Sequence, residues 1–190
     1  MKLVLAVVTL AVLAGLFAGG SFRGLADLRV RHLWLAPVCL FLQMAPTPSS
    51  PTWAPLAMLY VSLGGLLFFC ALNRRLAGFL AISAGLVLNL TVIAVNGGMP
   101  VSKGALVASG QADTLSLLEA DGGAKHHLAG PGDRLMFLGD VIAIPAPIAQ
   151  AVSAGDILVY GGVCWLLVAA MRRSRRRPVA LIERAAGIGP

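Results

Sequence analysis

Charged residues are scarce in this sequence, acidic ones most of all. They make up 12% of the 190 residues, with 8 Asp or Glu against 15 Lys or Arg. Soluble domains carry about a quarter charged residues, so this composition excludes an ordinary soluble protein. The net charge of +7 is better explained as loop charge that orients a membrane protein. We therefore expect no nucleic-acid partner.

Cysteines and catalytic motifs are also few. The cysteines all lie in apolar runs and form no CxxC pair, which argues against a disulfide framework or a structural zinc site; they are Cys39, Cys70 and Cys164. No GxSxG, P-loop, dinucleotide-binding or haem-attachment motif is present. We expect no cofactor and no metal. The alternative metal-ligand set, one of two histidines with two aspartates, has no recognisable spacing; its members are His126 or His127, Asp140 and Asp156.

What the sequence does have is long apolar runs. Hydrophobic residues make up 58% of the chain, and the mean hydropathy is +0.85. Runs of about 18 or more apolar residues are long enough to cross a bilayer. The pattern predicts an all-α, polytopic helical bundle of about five transmembrane helices in a single membrane domain. The predicted spans are 3–19, 33–45, 53–72, 76–95 and 157–171.

The distribution of arginine predicts the orientation of these spans. With five spans, Arg23, Arg29, Arg31, Arg74 and Arg75 share one side with the basic tail, 172–190. The positive-inside rule then places the N-terminus outside and the C-terminus in the cytoplasm. Two alternatives stay open: that 33–45 does not fully span, and that the first segment is a cleaved signal peptide.

The tail is predicted to anchor this orientation and to contact anionic lipid head groups. The contacting residues are Arg172, Arg173, Arg175, Arg176 and Arg177.

The long segment 96–155 is predicted to be external and to form short interfacial helices. With Asp156 at its edge it holds six of the eight acidic residues. Local physics explains part of it: "NGGMP" is a helix stop, and Ser153 with Asp156 forms a capping box for the last helix. Polar groups near hydrocarbon need partners, so we also predict that several converge on an external polar site. Its members are Asn96, Gly97, Gly98, His127, Asp140 and Asp156.

Two amide side chains, Gln43 and Asn89, lie inside predicted spans. Polar residues at that depth are a functional hypothesis by default. The leading hypothesis is a non-enzymatic binding or accessory subunit, in the bilayer with a membrane partner subunit or as a homo-oligomer. The alternatives are an enzyme acting on a lipid or lipid-linked substrate at the outer leaflet, with His127 as base, and a small transporter or channel using Gln43 and Asn89.

Three blocks in a fixed order carry a family resemblance: "NGGMPVS", "HHLAGPGDRLMFLGDVIAIP" and "SAGDILVYGG", followed by the last span and a basic tail. In these blocks the sequence resembles an uncharacterised bacterial multi-pass membrane family, catalogued as a domain of unknown function. The resemblance implies a prokaryotic inner-membrane protein of about five spans and no particular activity. The matching positions are Asn96, Gly97, Gly98, Pro100, His127, Leu128, Leu138, Gly139, Asp140, Gly155 and Asp156.

Overall fold

The computed structural model describes residues 2–45, 53–121 and 125–185, with side chains up to 120 and from 125 to 173. The described chain is mostly helical. The helices are α1 (Lys2–Phe17), α2 (Phe22–Ala26), α3 (Leu35–Met44), α4 (Ala54–Asn73), α5 (Phe79–Asn96), α6 (Lys103–Ser109), α7 (Ala112–Asp121) and α8 (Ala154–Ala185). The strands are β1 (Met99–Val101), β2 (His126–Leu128), β3 (Ile142–Ile144) and β4 (Gln150–Val152).

Within these residues, three helices are long and apolar enough to cross a membrane: α4, α5 and the Ala154–Arg173 part of α8. The predicted spans 53–72 and 76–95 match α4 and α5 closely. The predicted span 157–171 is too short at both ends, because α8 begins at its capping box and continues as one helix through the basic tail to Ala185.

The other two predicted spans are shorter helices. The span 3–19 corresponds to α1, with 16 residues, and the span 33–45 to α3, with 10 residues. At 1.5 Å per residue, α3 extends about 15 Å, half of a hydrocarbon core of about 30 Å. Among the described residues, length and composition therefore identify three candidate membrane-spanning helices, and the five predicted spans are not confirmed.

Helices α5 and α8 pack antiparallel along a seam of four glycines. Gly78 faces Gly162 and Gly85 faces Gly155, and a Cβ on any of the four would overlap the backbone carbonyl of the facing glycine. Small residues allow this close approach between apolar helices. The seam brings Asn89, one turn beyond Gly85, against the beginning of α8.

The remaining helices surround this pair. Gly15 and Gly20, at the end of α1 and just after it, approach Met171 of α8, and Gly24 of α2 approaches the Ala170 carbonyl. On the other side, Phe69 of α4 and Phe79 of α5 make an edge-to-face contact with centroids 5.5 Å apart. Many large apolar side chains point outward, as helices facing hydrocarbon require; examples are Leu5, Phe17, Phe41, Phe68, Leu80 and Trp165.

At one end of the bundle, residues 97–121 and 125–153 form a layer, here named the cap. Its two short helices, α6 and α7, agree with the predicted short helices. The cap also contains two small sheets, which the all-α prediction did not include. β1 pairs in parallel with β2, and β3 pairs antiparallel with β4. Three-residue strands have too few alternating positions to be recognised in a sequence. The stretch 46–51, whose prolines and serines without charge indicate a tight external connection, lies outside the described residues.

Candidate functional site

The beginning of α8 is joined to α5 by a buried polar network. Ser153 Oγ accepts from Asp156 N at 3.0 Å, and Asp156 Oδ2 accepts from Ser153 N at 3.1 Å, which confirms the predicted capping box. Asn89 closes the network: its Nδ2 donates to Asp156 Oδ1 at 2.8 Å, and its Oδ1 accepts from Ser153 Oγ at 2.9 Å. Asp156 is therefore oriented from both helices.

We expect Asn89→Ala to lower the free energy of unfolding by about 2 kcal/mol, because a buried hydroxyl and a carboxylate each lose a partner. Thr91→Ala is the matched control on the same helix, because the Thr91 hydroxyl is exposed and bonds only to the Val87 carbonyl. The measurement is thermal unfolding in detergent. Equal shifts for the two variants would contradict this role of Asn89.

The "NGGMPVS" stretch, which stops α5, also builds the site. Gly97 ends the helix with φ 68°, in the left-handed region that favours glycine. The chain then enters β1, whose register pairs Met99 with His126 and Val101 with Leu128. On the other edge of β1, Asp140 N donates to the Pro100 carbonyl at 3.0 Å and Ser102 N donates to the Asp140 carbonyl at 3.1 Å. β1 thus holds His126 and Asp140 on opposite sides of one short strand.

A cavity of about 370 Å³ lies where the cap meets the bundle. Its polar wall combines the cap with α8, because Asp156 and Tyr160 are four residues apart on one helix face. Among the residues whose side chains are described, no lysine or arginine lines it. The lining residues are Val101, Leu106, Gln111, Thr114, Leu118, His126, Asp140, Gln150, Ala151, Asp156 and Tyr160. We name this space the cap cavity.

Asp140 is the most unusual group in the cap cavity. The residue is 8% exposed, and its Oδ1 is buried without a hydrogen-bond partner. Burial, with the nearby charge of Asp156 adding to it, raises the pKa of Asp140 to about 7. The carboxyl is therefore close to half-protonated at neutral pH.

His126 lies beside this carboxyl without bonding it, with Nε2 at 3.9 Å from Asp140 Oδ2. Desolvation lowers the pKa of His126, against the attraction of Asp156, and Lys125 and His127 add to the lowering. Because 53% of the side chain is exposed, we expect solvent to limit this effect. Among the described residues, no group of three or more His, Cys, Asp or Glu side chains is placed to hold a metal ion.

The structure separates His127 from the two aspartates with which it was grouped. Successive side chains of a strand point to opposite faces, so only one of the two histidines can line the cap cavity, and it is His126. His127 Nε2 instead lies 2.9 Å from Asp133 Oδ1. A hydrogen bond from the Gly130 N–H, with His127 acting in the same direction against burial, lowers the pKa of Asp133.

Asn96 also lies apart from the cap cavity. Its Oδ1 accepts from Arg134 N at 2.8 Å and its Nδ2 donates to the Arg134 carbonyl at 2.9 Å. It therefore clamps the cap to the end of α5. Gly98 packs against His127, where an added Cβ would lie 3.1 Å from Nδ1. Of the six predicted site residues, Asp140 and Asp156 line the cap cavity, and the other four shape its surroundings.

Gln43 and Asn89 make different contacts. The backbone carbonyl of Gln43 accepts a hydrogen bond from Lys125 Nζ at 2.6 Å, whereas the side chain of Asn89 bonds to Ser153 and Asp156. Of the predicted lipid-contacting arginines, Arg172 and Arg173 are exposed on α8. The side chains of Arg175, Arg176 and Arg177 lie outside the described part of the chain.

Sequence reasoning missed several wall residues. Tyr160 could have been predicted from the sequence, since a tyrosine four residues after Asp156 shares the same helix face. Gln111 was not: its Oε1 accepts from Ala151 N at 2.8 Å, a contact across 40 residues that no local pattern encodes.

Comparison with known proteins places the cap cavity in a family context. The family described as "Family of unknown function (DUF5317)" matches residues 27–168, a range that contains the whole cap and α3 to α5. A relative from Thermotoga maritima, described as an uncharacterized protein, is 30% identical over 147 residues, which are 76% of this chain and 78% of that protein. No solved structure matches the chain. Because the family match covers most of the sequence, the protein belongs to the DUF5317 family.

Proposed function

We propose that this protein is a bacterial inner-membrane binding or accessory protein that takes up a small ligand in the cap cavity. In this proposal the two shorter apolar helices, α1 and α3, complete a five-segment bundle with α4, α5 and α8. The cap then lies outside and the arginine-rich end in the cytoplasm, as the positive-inside rule favours. A partner subunit or a second copy would receive the bound state.

One observation carries the proposal: a carboxyl oxygen of Asp140 is buried at the cavity wall without a partner. An unpartnered buried polar group costs about 1–3 kcal/mol, and more when charged. A ligand that donates a hydrogen bond to it recovers this cost. Asp156 adds a second carboxylate, and the described part of the wall contains no lysine or arginine. The complementary ligand is therefore cationic or rich in donors, such as a small amine.

Binding fits this geometry better than the alternatives. The enzyme alternative makes His127 the base, with an aspartate as its orienting partner. His127 Nε2 does lie 2.9 Å from Asp133 Oδ1, but neither of these two residues lines the cap cavity. The transport alternative uses Gln43 and Asn89, and the Asn89 side chain is already bonded to Ser153 and Asp156.

Small amines test the proposal directly. We expect ethanolamine, putrescine or choline to raise the unfolding temperature of the detergent-solubilised protein at about pH 8, where Asp140 is ionised. A ligand at about 100 times its Kd stabilises by about 2.7 kcal/mol, or about 5–10 °C for a chain of this size. Acetate and phosphate are the comparison ligands and should give no such rise.

Two aspartate variants make the test specific. Asp140→Asn should abolish the amine effect, because it removes the charge from the wall. Asp113→Asn is the matched control: it removes one charge from an exposed position of α7 outside the cavity and should keep the effect. Loss of the effect in both variants, or stabilisation of the unsubstituted protein by anions alone, would contradict an amine site at Asp140.

A further inference from the structure

A second cavity lies at the opposite end of the bundle, with a volume of about 540 Å³. Half of the described residues that line it are arginines, and none of these described residues is acidic. We name it the arginine groove; it is lined by Arg29, Arg31, Ala71, Leu72, Asn73, Arg74, Arg75 and Leu76. We propose that the arginine groove binds the phosphate groups of an anionic phospholipid head group. The inference is independent of the cap cavity.

A buried asparagine assembles the groove from two distant segments. Asn73 ends α4 and is 3% exposed. Its Oδ1 accepts from Arg31 N at 2.8 Å, and its Nδ2 donates to the Arg31 carbonyl at 3.0 Å and to the Phe69 carbonyl at 2.9 Å. The 42-residue separation between these partners means that tertiary structure, not local sequence, brings the arginines together.

The segment before α3 places Arg29 and Arg31 at the groove. Residues 28–30 have no regular secondary structure, and Val30 packs against the core of α4 and α5. With Val30 turned inward, its neighbours Arg29 and Arg31 are left exposed and line the groove. The chain thus alternates an apolar anchor with two cationic groups.

The four arginines of the groove concentrate positive charge at this end of the bundle. None of Arg29, Arg31, Arg74 and Arg75 forms an ion pair within the part of the chain that is described. Four guanidinium groups around one space repel one another, and an anion between them removes that repulsion. Arginine also matches phosphate geometry with paired N–H donors, which lysine does not.

The rest of the wall explains why a lipid fits better than a free anion. Ala71, Leu72 and Leu76 supply an apolar side next to the arginines, and α4 and α5 are apolar helices long enough to cross a bilayer. A phospholipid presents phosphate and acyl chains in this order at an interface. Basic pockets between membrane helices bind such head groups, including those with two phosphates.

The test is lipid titration of the full-length protein, purified in mild detergent, followed by native mass spectrometry. The probe is cardiolipin, with phosphatidylcholine as the zwitterionic comparison. We expect cardiolipin to bind at least about tenfold more tightly than phosphatidylcholine, and Arg74→Gln with Arg75→Gln to weaken it about tenfold or more, as the loss of charge-assisted phosphate contacts implies.

The matched comparison is Arg172→Gln with Arg173→Gln, which removes the same charge from the exposed start of the basic tail and so tests the alternative that the lipid head group is held by the tail rather than by the groove. It should weaken the binding of cardiolipin by less than about threefold, as expected for a diffuse, screened attraction. Single substitution of Arg31 by Gln keeps Arg74 and Arg75 in place and should still weaken binding by several-fold. Equal losses in the two double variants, or no loss on substituting Arg31, would overturn the site. Displacement of cardiolipin by millimolar inorganic phosphate would overturn the lipid assignment in favour of a soluble anion.

Discussion

Substituting Gly162 by alanine should destabilise the protein by about 3 kcal/mol, at the upper end of the range for overpacking. The added Cβ would lie 2.7 Å from the Gly78 carbonyl oxygen, 2.6 Å from Ile82 Cγ1 and 2.9 Å from Ile82 N. Two of these three atoms belong to the backbone of α5, so no side-chain rotation relieves the contact. Helices α5 and α8 must separate, and with them the network between Asn89 and Asp156.

The neighbouring glycine provides the control. At Gly161 an added Cβ meets nothing within 4 Å, and alanine gains up to about 1 kcal/mol in helix propensity over glycine. Gly161→Ala should therefore leave the unfolding temperature unchanged or slightly raised, while Gly162→Ala lowers it by about 5–10 °C. Similar unfolding temperatures for the two variants would mean that the glycine seam does not determine how these helices pack.

Asp140→Asn should make the protein more stable above neutral pH, by about 2–4 kcal/mol. The pKa of Asp140 is about 7 in the folded protein, against a reference of 3.8. A raised folded pKa means that the folded state binds the proton more tightly. This contribution is fully present below pH 3.8, is lost as the pH rises toward about 7, and is absent above that value. Asparagine resembles the protonated carboxyl at every pH.

The measurement is the unfolding temperature of both proteins between about pH 5 and about pH 8. Linkage predicts that the unsubstituted protein loses about 2–3 kcal/mol over this interval relative to Asp140→Asn. The other titratable groups that face the cavity, His126, Asp156 and Tyr160, are present in both proteins. The difference in unfolding temperature between the two proteins therefore reports mainly on the titration of Asp140. A constant difference between the two proteins across this range would show that Asp140 does not titrate there.

The pH effect also connects to the proposed ligand. A cation bound at the cap cavity favours the ionised carboxylate, so binding should release a proton from Asp140 near neutral pH. Amine affinity should therefore fall as the pH drops below about 7. In Asp140→Asn the carboxylate is absent, and with it this pH dependence.

Local patterns in the sequence predicted features whose causes are themselves local. Apolar runs predicted α4 and α5 because each helix satisfies its own backbone hydrogen bonds. "NGGMP" predicted the end of α5, since glycine tolerates the left-handed conformation of Gly97. The spacing of Ser153 and Asp156 predicted the start of α8, because the two partners are three residues apart.

The end of α8 and the length of α3 were harder to place. The apolar run ends at Met171, but α8 continues because arginines are good helix formers. The change from apolar to basic residues therefore does not mark the end of the helix. The run 33–45 reads as a span by composition, whereas its helix has 10 residues.

Only the tertiary structure decided which polar groups meet. The register of β1 against β2 places His126, not His127, in the cap cavity, and a shift of one residue would have reversed that choice. Asn73 and Asn96 are both amides at helix ends and cannot be distinguished by sequence pattern. Asn73 bonds to Arg31 beside the arginine groove, whereas Asn96 bonds to Arg134 of the cap. Composition and local spacing therefore predicted the long apolar helices α4 and α5 and the start of α8. Contacts between residues far apart in the chain determined the cap cavity and the arginine groove, because their partners are selected by packing geometry that no short stretch of sequence contains.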